Sequence, residues 1–240
     1  MKPFSRAATV AVLIGGMVMF GGCAQRSVNV KSSVIDYLYG DKEFVQSGKT
    51  PVLNVPLKIG IAFVPESNAT QIGGMQKNGL SEKQRLDLMQ RISSEFKKYG
   101  IFSEAVVIPS ANLTPRGSFV NLSQIRALYG IDQILLISYD QSQFTDEGAS
   151  TAAYWTGIGA YVVAGEKNGT HTMVEANVFD IPSQKMLFRS VGVSSVNSSA
   201  TLVNLTEQTR TDSVEGFNRA GDDLLQKLDT EIVNFKSTLK

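Results

Sequence analysis

The sequence predicts an α+β (mixed α/β) domain. Its sheet is partly parallel, built strand-helix-strand-helix-strand, and is followed by an antiparallel meander and a C-terminal helix. Three observations predict it. Between residues 57 and 139, short apolar runs closed by proline or glycine alternate with stretches of helical spacing. From residue 170 the apolar positions recur every second residue on both sides of the turn-forming Pro182-Ser183. The C-terminal stretch then returns to helical periodicity.

The elements follow in order. Leu57 to Val64 forms an apolar strand stopped by Pro65, which cannot continue a ladder. Ser81 with Gln84 is a capping-box pattern, and Leu86, Met89, Ile92, Phe96 and Tyr99 follow at helical spacing up to Gly100. Residues 102–108 form a second strand, ended by Pro109. Leu122, Ile125, Leu128 and Tyr129 make a short helical stripe closed by Gly130. Residues 131–139 read as a buried strand, because Ile134-Leu135-Leu136-Ile137 leaves no polar face. In residues 170–180, Val174, Ala176 and Val178 alternate with Glu175 and Asn177. Residues 186–196 form the next strand, with Leu187, Val191 and Val193 on one side. Leu224, Leu225, Leu228, Ile232 and Phe235 stripe a last helix from about Val214 to Leu239.

The amino terminus has a different character. Lys2 and Arg6 precede an apolar run from Ala7 to Phe20, and Gly21-Gly22 precede Cys23. A basic head, an apolar middle and small residues at a cut site make an export signal. The middle is shorter than the roughly 20 apolar residues of a permanent spanning helix. Cys23, the only cysteine in the chain, stands directly after the small pair. That placement resembles the bacterial lipobox, in which the cysteine is lipidated and becomes the first residue. Phe20 departs from the leucine usual at its position. The rival reading is ordinary cleavage after Ala24, which would release an unanchored protein. The chain then divides into a signal peptide (1–22), a lipidated tether carrying a short docking segment (23–56) and one domain (57–240). Ala24, rather than an aspartate, follows the cysteine; by resemblance to other lipoproteins this implies the outer membrane, on its periplasmic face.

Composition narrows the function. A net charge of +1 in 240 residues, with both signs mixed, offers no basic face for nucleic acid. One cysteine excludes an intramolecular disulfide and a cysteine-based zinc site. Any catalytic triad would have to use His171, the only histidine, which lies mid-strand with no nucleophile motif beside it. The chain therefore reads as non-enzymatic, with no cofactor beyond the covalent lipid on Cys23. Asp140, Asp146 and Glu147 read as a solvated loop after the buried strand, and neighbouring Asp222 and Asp223 diverge by about 100° on a helix.

Candidate contacts for an unidentified envelope protein are Tyr37, Leu38 and Tyr39 in the segment before Gly40, together with Asp146 and Trp155. For the segment 32–39, a short helix that docks on its own domain is the preferred reading over a partner-binding peptide, because exposed aromatic clusters are usually covered. Residues 152–164, apolar and rich in glycine and aromatics, read as a core strand of the meander. Paired with 170–180, they instead suggest a membrane-inserting hairpin in a ring-forming export component, which keeps a homo-oligomer open.

The order of elements resembles envelope lipoproteins of the curli-secretion type and the amino-terminal domain of the Tol translocation protein, through residues 59–63, 129–135 and 178–187. A closer resemblance is to the rhombotarget lipoprotein family. Ser32-Ser33-Val34-Ile35-Asp36-Tyr37-Leu38-Tyr39 resembles its opening motif, and Val178-Phe179-Asp180-Ile181-Pro182-Ser183-Gln184-Lys185-Met186-Leu187-Phe188-Arg189 its central hairpin. The resemblance implies an envelope lipoprotein and no enzyme site. Some members carry a glycine-rich sorting tail read by a rhomboid-type protease; residues 235–240 do not resemble it, so such processing is not expected.

Overall fold

Two apolar runs, at residues 59–63 and 133–137, lie side by side and parallel. The structure is a computed structural model that describes residues 27–40, 48–66, 80–144, 169–198 and 205–239. Their order is β1 (Ser27–Lys31), α1 (Val34–Leu38), β2 (Leu57–Phe63), α2 (Glu82–Lys97), β3 (Phe102–Val107), a 3-10 turn (Ser110–Asn112), α3 (Ser118–Tyr129), β4 (Gln133–Phe144), β5 (Gly169–Asp180), β6 (Lys185–Asn197) and α4 (Leu205–Thr238). The strands form one mixed sheet in the order β3-β2-β4-β5-β6, with β1 antiparallel to β4. The α+β class, the parallel first part and the antiparallel meander are as the patterning implies.

β2 is parallel to β3 on one side and to β4 on the other. Right-handed crossovers in opposite directions put their helices on opposite faces, so α2 and α3 face each other across the sheet. Two cores result. On one face Leu88, Met89, Ile92 and Phe96 of α2 join Leu224, Leu228 and Ile232 of α4 over Ile59, Ile61, Leu135 and Ile137. On the other, Phe119, Leu122 and Ile125 of α3 and Val34, Tyr37 and Leu38 of α1 cover Ala62, Ile134 and Leu136.

Local chemistry sets the boundaries. The Ser81–Gln84 capping box forms, with Gln84 N–H donating to Ser81 Oγ at 3.3 Å and Ser81 N–H to Gln84 Oε1 at 3.0 Å. Gly130 closes α3 at φ 62°, in the left-handed region that glycine enters without strain. Leu86 and Leu128, read as core positions, are instead exposed at 44% and 72%; Leu88 and Phe119 take the inward places. A bulge at Val178/Phe179 inserts Leu187 as an extra residue of β6. Leu187 packs against the α2–α4 core, whereas Val191 and Val193 do not belong to it, so the three do not share one side.

The last helix starts at Leu205, well before the Val214 that its apolar stripe suggests. Its first turns dock through polar groups. Gln141 Nε2 donates to Thr172 Oγ1 at 2.8 Å and to the Ser213 carbonyl at 3.0 Å, and Gln143 Nε2 donates to the Thr209 carbonyl at 2.8 Å. A helix held this way shows no hydrophobic period. The boundary at residue 57 also moves, because residues 27–38, placed in the tether by composition, supply a strand of the sheet and a helix of the second core.

α4 crosses β6 at Gly192, where an added Cβ would overlap the Ala220 carbonyl oxygen and lie 2.5 Å from the Leu224 amide nitrogen. Those are backbone atoms and cannot rotate away. Gly192→Ala should therefore lower unfolding free energy by about 1–3 kcal/mol or more, as overpacking does. Chemical denaturation checks this; an unchanged midpoint would show that α4 does not lie so close.

Candidate functional site

In parallel α/β sheets, ligands bind outside the carboxyl ends of strands where the strand order reverses. Here that point is the end of β2, which is flanked by β3 and β4. The chain fills the place itself. β1 lies on the same edge of β4 as β2 does, just beyond β2's end: β2 pairs with Gln133–Ile137 and β1 with Asp140–Phe144. Ser32 N–H donates to the Tyr139 carbonyl at 2.8 Å, Tyr139 N–H returns to Ser32 Oγ at 2.9 Å, and Ser32 bridges to Glu66.

α1 then tucks Tyr37 and Leu38 inside, each 2% exposed. Tyr37 Oη donates to Asn121 Oδ1 at 2.8 Å, and burial pushes its hydroxyl pKa above the ordinary value. Asn121 Oδ1 also accepts from the Thr114 amide at 3.0 Å, tying the loop before α3 to α1. Two of the candidate partner contacts, Tyr37 and Leu38, are thus core residues: reaching a partner would mean leaving a hydrophobic cluster and a buried hydrogen bond. Tyr39 is half-buried, its ring edge-on to Phe119 at 6.1 Å between centroids. Cys23, Asp146 and Trp155 lie outside the described residues.

A second polar region was read only as a loop. β4 runs on past Tyr139 to Phe144, so Asp140 and Ser142 are strand residues pointing to the face of Ile134 and Leu136. They are 3% and 0% exposed, and among the described residues neither Asp140 carboxylate oxygen nor Ser142 Oγ has a hydrogen-bond partner. His171 stands opposite Ser142 on β5, and Ser195 opposite His171 on β6, with Ser195 Oγ again unpartnered. Asp140, Ser142, His171 and Ser195 therefore form an acceptor-rich patch on one face of the sheet.

Burial raises the Asp140 pKa, and the Lys31 ammonium opposite it on β1 partly opposes that rise. Burial lowers the His171 pKa, favouring the neutral imidazole. The residue types are those of a hydrolytic triad, but the relay is not made. Among the described residues, Asp140, Ser142 and Ser195 have no hydrogen bonds through these side chains, so none orients or is activated by His171. Hydropathy could not separate Ser138-Tyr139-Asp140-Gln141-Ser142-Gln143 from a solvated loop, although its unbroken β-compatible run without glycine or proline was a usable sign.

The membrane hairpin drawn from residues 152–164 and 170–180 loses its second arm. β5 is paired along its whole length with β4 on one side and β6 on the other, and its Val174, Ala176 and Val178 lie in the core under α4. Residues 152–164 lie outside the described residues. Asp222 and Asp223 diverge as their spacing requires: Asp222 meets Arg91, while Asp223 accepts from the Val193 amide at 2.9 Å and from Lys227 at 2.7 Å. Among the described residues, no group of His, Cys, Asp and Glu is arranged to hold a metal, and no helix is long and apolar enough to cross a membrane.

No family model and no curated protein matches the chain. Among solved structures, a hypothetical protein of Chlamydia trachomatis is similar at 11% identity and a TM-score of 0.35, over 73% of this chain and 96% of that one. Lipoprotein GNA1162 of Neisseria meningitidis is similar at 12% identity and a TM-score of 0.29, over 67% of this chain and 99% of its own. Likenesses this slight carry neither fold nor function across, and neither is to a rhombotarget protein.

Asp140→Asn tests the patch. A buried group with no partner costs about 1–3 kcal/mol, more when charged, so the isosteric neutral amide should stabilise the protein at pH 7. The folded-state pKa is raised, so the stability that wild type loses disappears as pH rises from the unfolded value of 3.8 through the folded one. The advantage of Asn should therefore be full at neutral pH and fade as pH falls toward 4. Urea unfolding at both pH values measures it; a destabilised variant at pH 7 would mean the carboxylate is satisfied.

Proposed function

We propose that this chain is a bacterial envelope lipoprotein, held by lipid on Cys23 at the periplasmic face of the outer membrane, that binds or assists another envelope protein and catalyses no reaction. The observation that carries this reading is the position of the only cysteine, directly after Gly21-Gly22 at the end of a basic-then-apolar leader. The sheet begins at Ser27, four residues after Cys23. The resemblance of residues 32–39 and 178–189 to rhombotarget lipoproteins supports the same assignment.

The filled crevice at the end of β2 and the unmade relay around His171 support a binding role over a catalytic one. Asp140 is 3% exposed, so its carboxylate is an internal group of the fold and not a surface that a partner reaches. Keeping an unpartnered buried carboxylate at a cost in stability is the trade seen where function needs the group.

Fractionation of producing cells, with mass analysis of the amino-terminal peptide, tests the anchor. Wild type should sediment with membranes and carry acyl chains on Cys23, whereas Cys23→Ser should be unmodified and soluble. Wild type that is soluble and cut after Ala24 would contradict the reading.

A further inference from the structure

We infer that the end of the sheet formed by Ser27, Phe144, Gly169 and Asn197 faces the bilayer, so that the domain stands on the membrane surface rather than hanging from a tether. The inference rests on the proposed lipid on Cys23.

The first argument is chain length. Four peptide steps join Cys23 to Ser27. Fully extended, each spans at most roughly 3.3–3.6 Å, so Ser27 lies within about 14 Å of the lipidated residue. β1 does not begin at an arbitrary point of the fold. Ser27 pairs with Phe144, the last residue of β4, and the chain then runs inward to the pairing of Lys31 with Asp140. The Phe144 end of β4 is therefore tied to the surface. The Gln133 end lies eleven residues further along, about 36 Å away at roughly 3.3 Å per residue.

The second argument is charge. Across the sheet, the terminal rung is Ser27, Phe144, Gly169 and Asn197. Neither it nor the two rungs behind it contain Asp, Glu, Lys or Arg on any of the four strands. Their only ionisable side chain is His171, which burial holds toward its neutral form. The nearby charges at the start of α4, Glu207 and Arg210, neutralise each other at 2.7 Å. The opposite end of the sheet is charged, with Asp180 paired to Lys185, Lys58 to Glu104 at 3.0 Å, and Arg126 to Asp132 at 2.7 Å. These rungs can approach the interface without stripping water from ions of their own, although Arg26, Asp146, Glu147, Glu166 and Lys167 adjoin them in sequence.

The consequence is an orientation. The hairpin turn between β5 and β6 points away from the membrane, and the Asp140 patch lies near it, within four residues of the terminal rung.

Depth-dependent quenching tests this. With Cys23 occupied by lipid, Asn197→Cys and Met186→Cys each supply one free thiol, and both positions are exposed. Each purified lipoprotein, first confirmed by mass to carry lipid, is labelled with a fluorophore. It is then reconstituted in phosphatidylethanolamine–phosphatidylglycerol vesicles containing headgroup-nitroxide lipid. We expect the Asn197 label to be quenched several-fold more than the Met186 label. Equal quenching, or stronger quenching at Met186, overturns the orientation while leaving the anchor standing. Absence of lipid in the mass spectrum overturns both.

Discussion

The fold depends on one strand having two neighbours end to end along the same edge. β4 is twelve residues long, but β2 accompanies only its first five. Left alone, the remaining residues would present a bare edge of unpaired amides and carbonyls, which costs free energy when buried and invites foreign strands when exposed. β1 closes that edge. From this pairing follow the burial of Asp140 and Ser142 between β1 and β5, the closure of the crevice beyond β2, and the placement of α1 on the second core. The amino-terminal residues are thus an integral part of the sheet.

The elements legible in the sequence are those governed by short-range chemistry. The capping box at Ser81, the left-handed glycine at 130 and the apolar run of β4 act through neighbours within a few residues, so their signals survive without tertiary information. The parts that were not legible are held by distant polar partners. Gln141 and Gln143 look like loop residues until the carbonyls of Thr209 and Ser213 lie over them. The first turns of α4 look unstructured for the reciprocal reason. β1 has too few residues to display a period, and its partner lies more than a hundred positions away. The bulge at Val178/Phe179 changes which side chains face the core without leaving a mark in hydropathy.

The same distinction explains the site. Tyr37 and Leu38 attract attention as an aromatic-apolar cluster near the amino terminus, yet such clusters are usually covered, and here the chain covers them itself. Asp140 drew little notice because a single aspartate after an apolar strand is ordinarily solvated. What distinguishes it is the combination of burial and missing hydrogen bonds, which only the three-dimensional arrangement displays. The lipidation proposed for Cys23 belongs to a third category: its motif is local sequence alone, and the fold bears on it only through the four peptide steps between Cys23 and β1.

β1 joins the amino-terminal part of the described chain to the sheet, so residues 27–31 should behave as part of the folded domain. Hydrogen exchange on the intact protein tests this most directly. Amides in residues 27–31 that pair with β4 should be protected together with their partners in residues 140–144, opening only with the sheet. Exchange of residues 27–31 at the rate of an unstructured chain, with β4 still protected, would contradict the account.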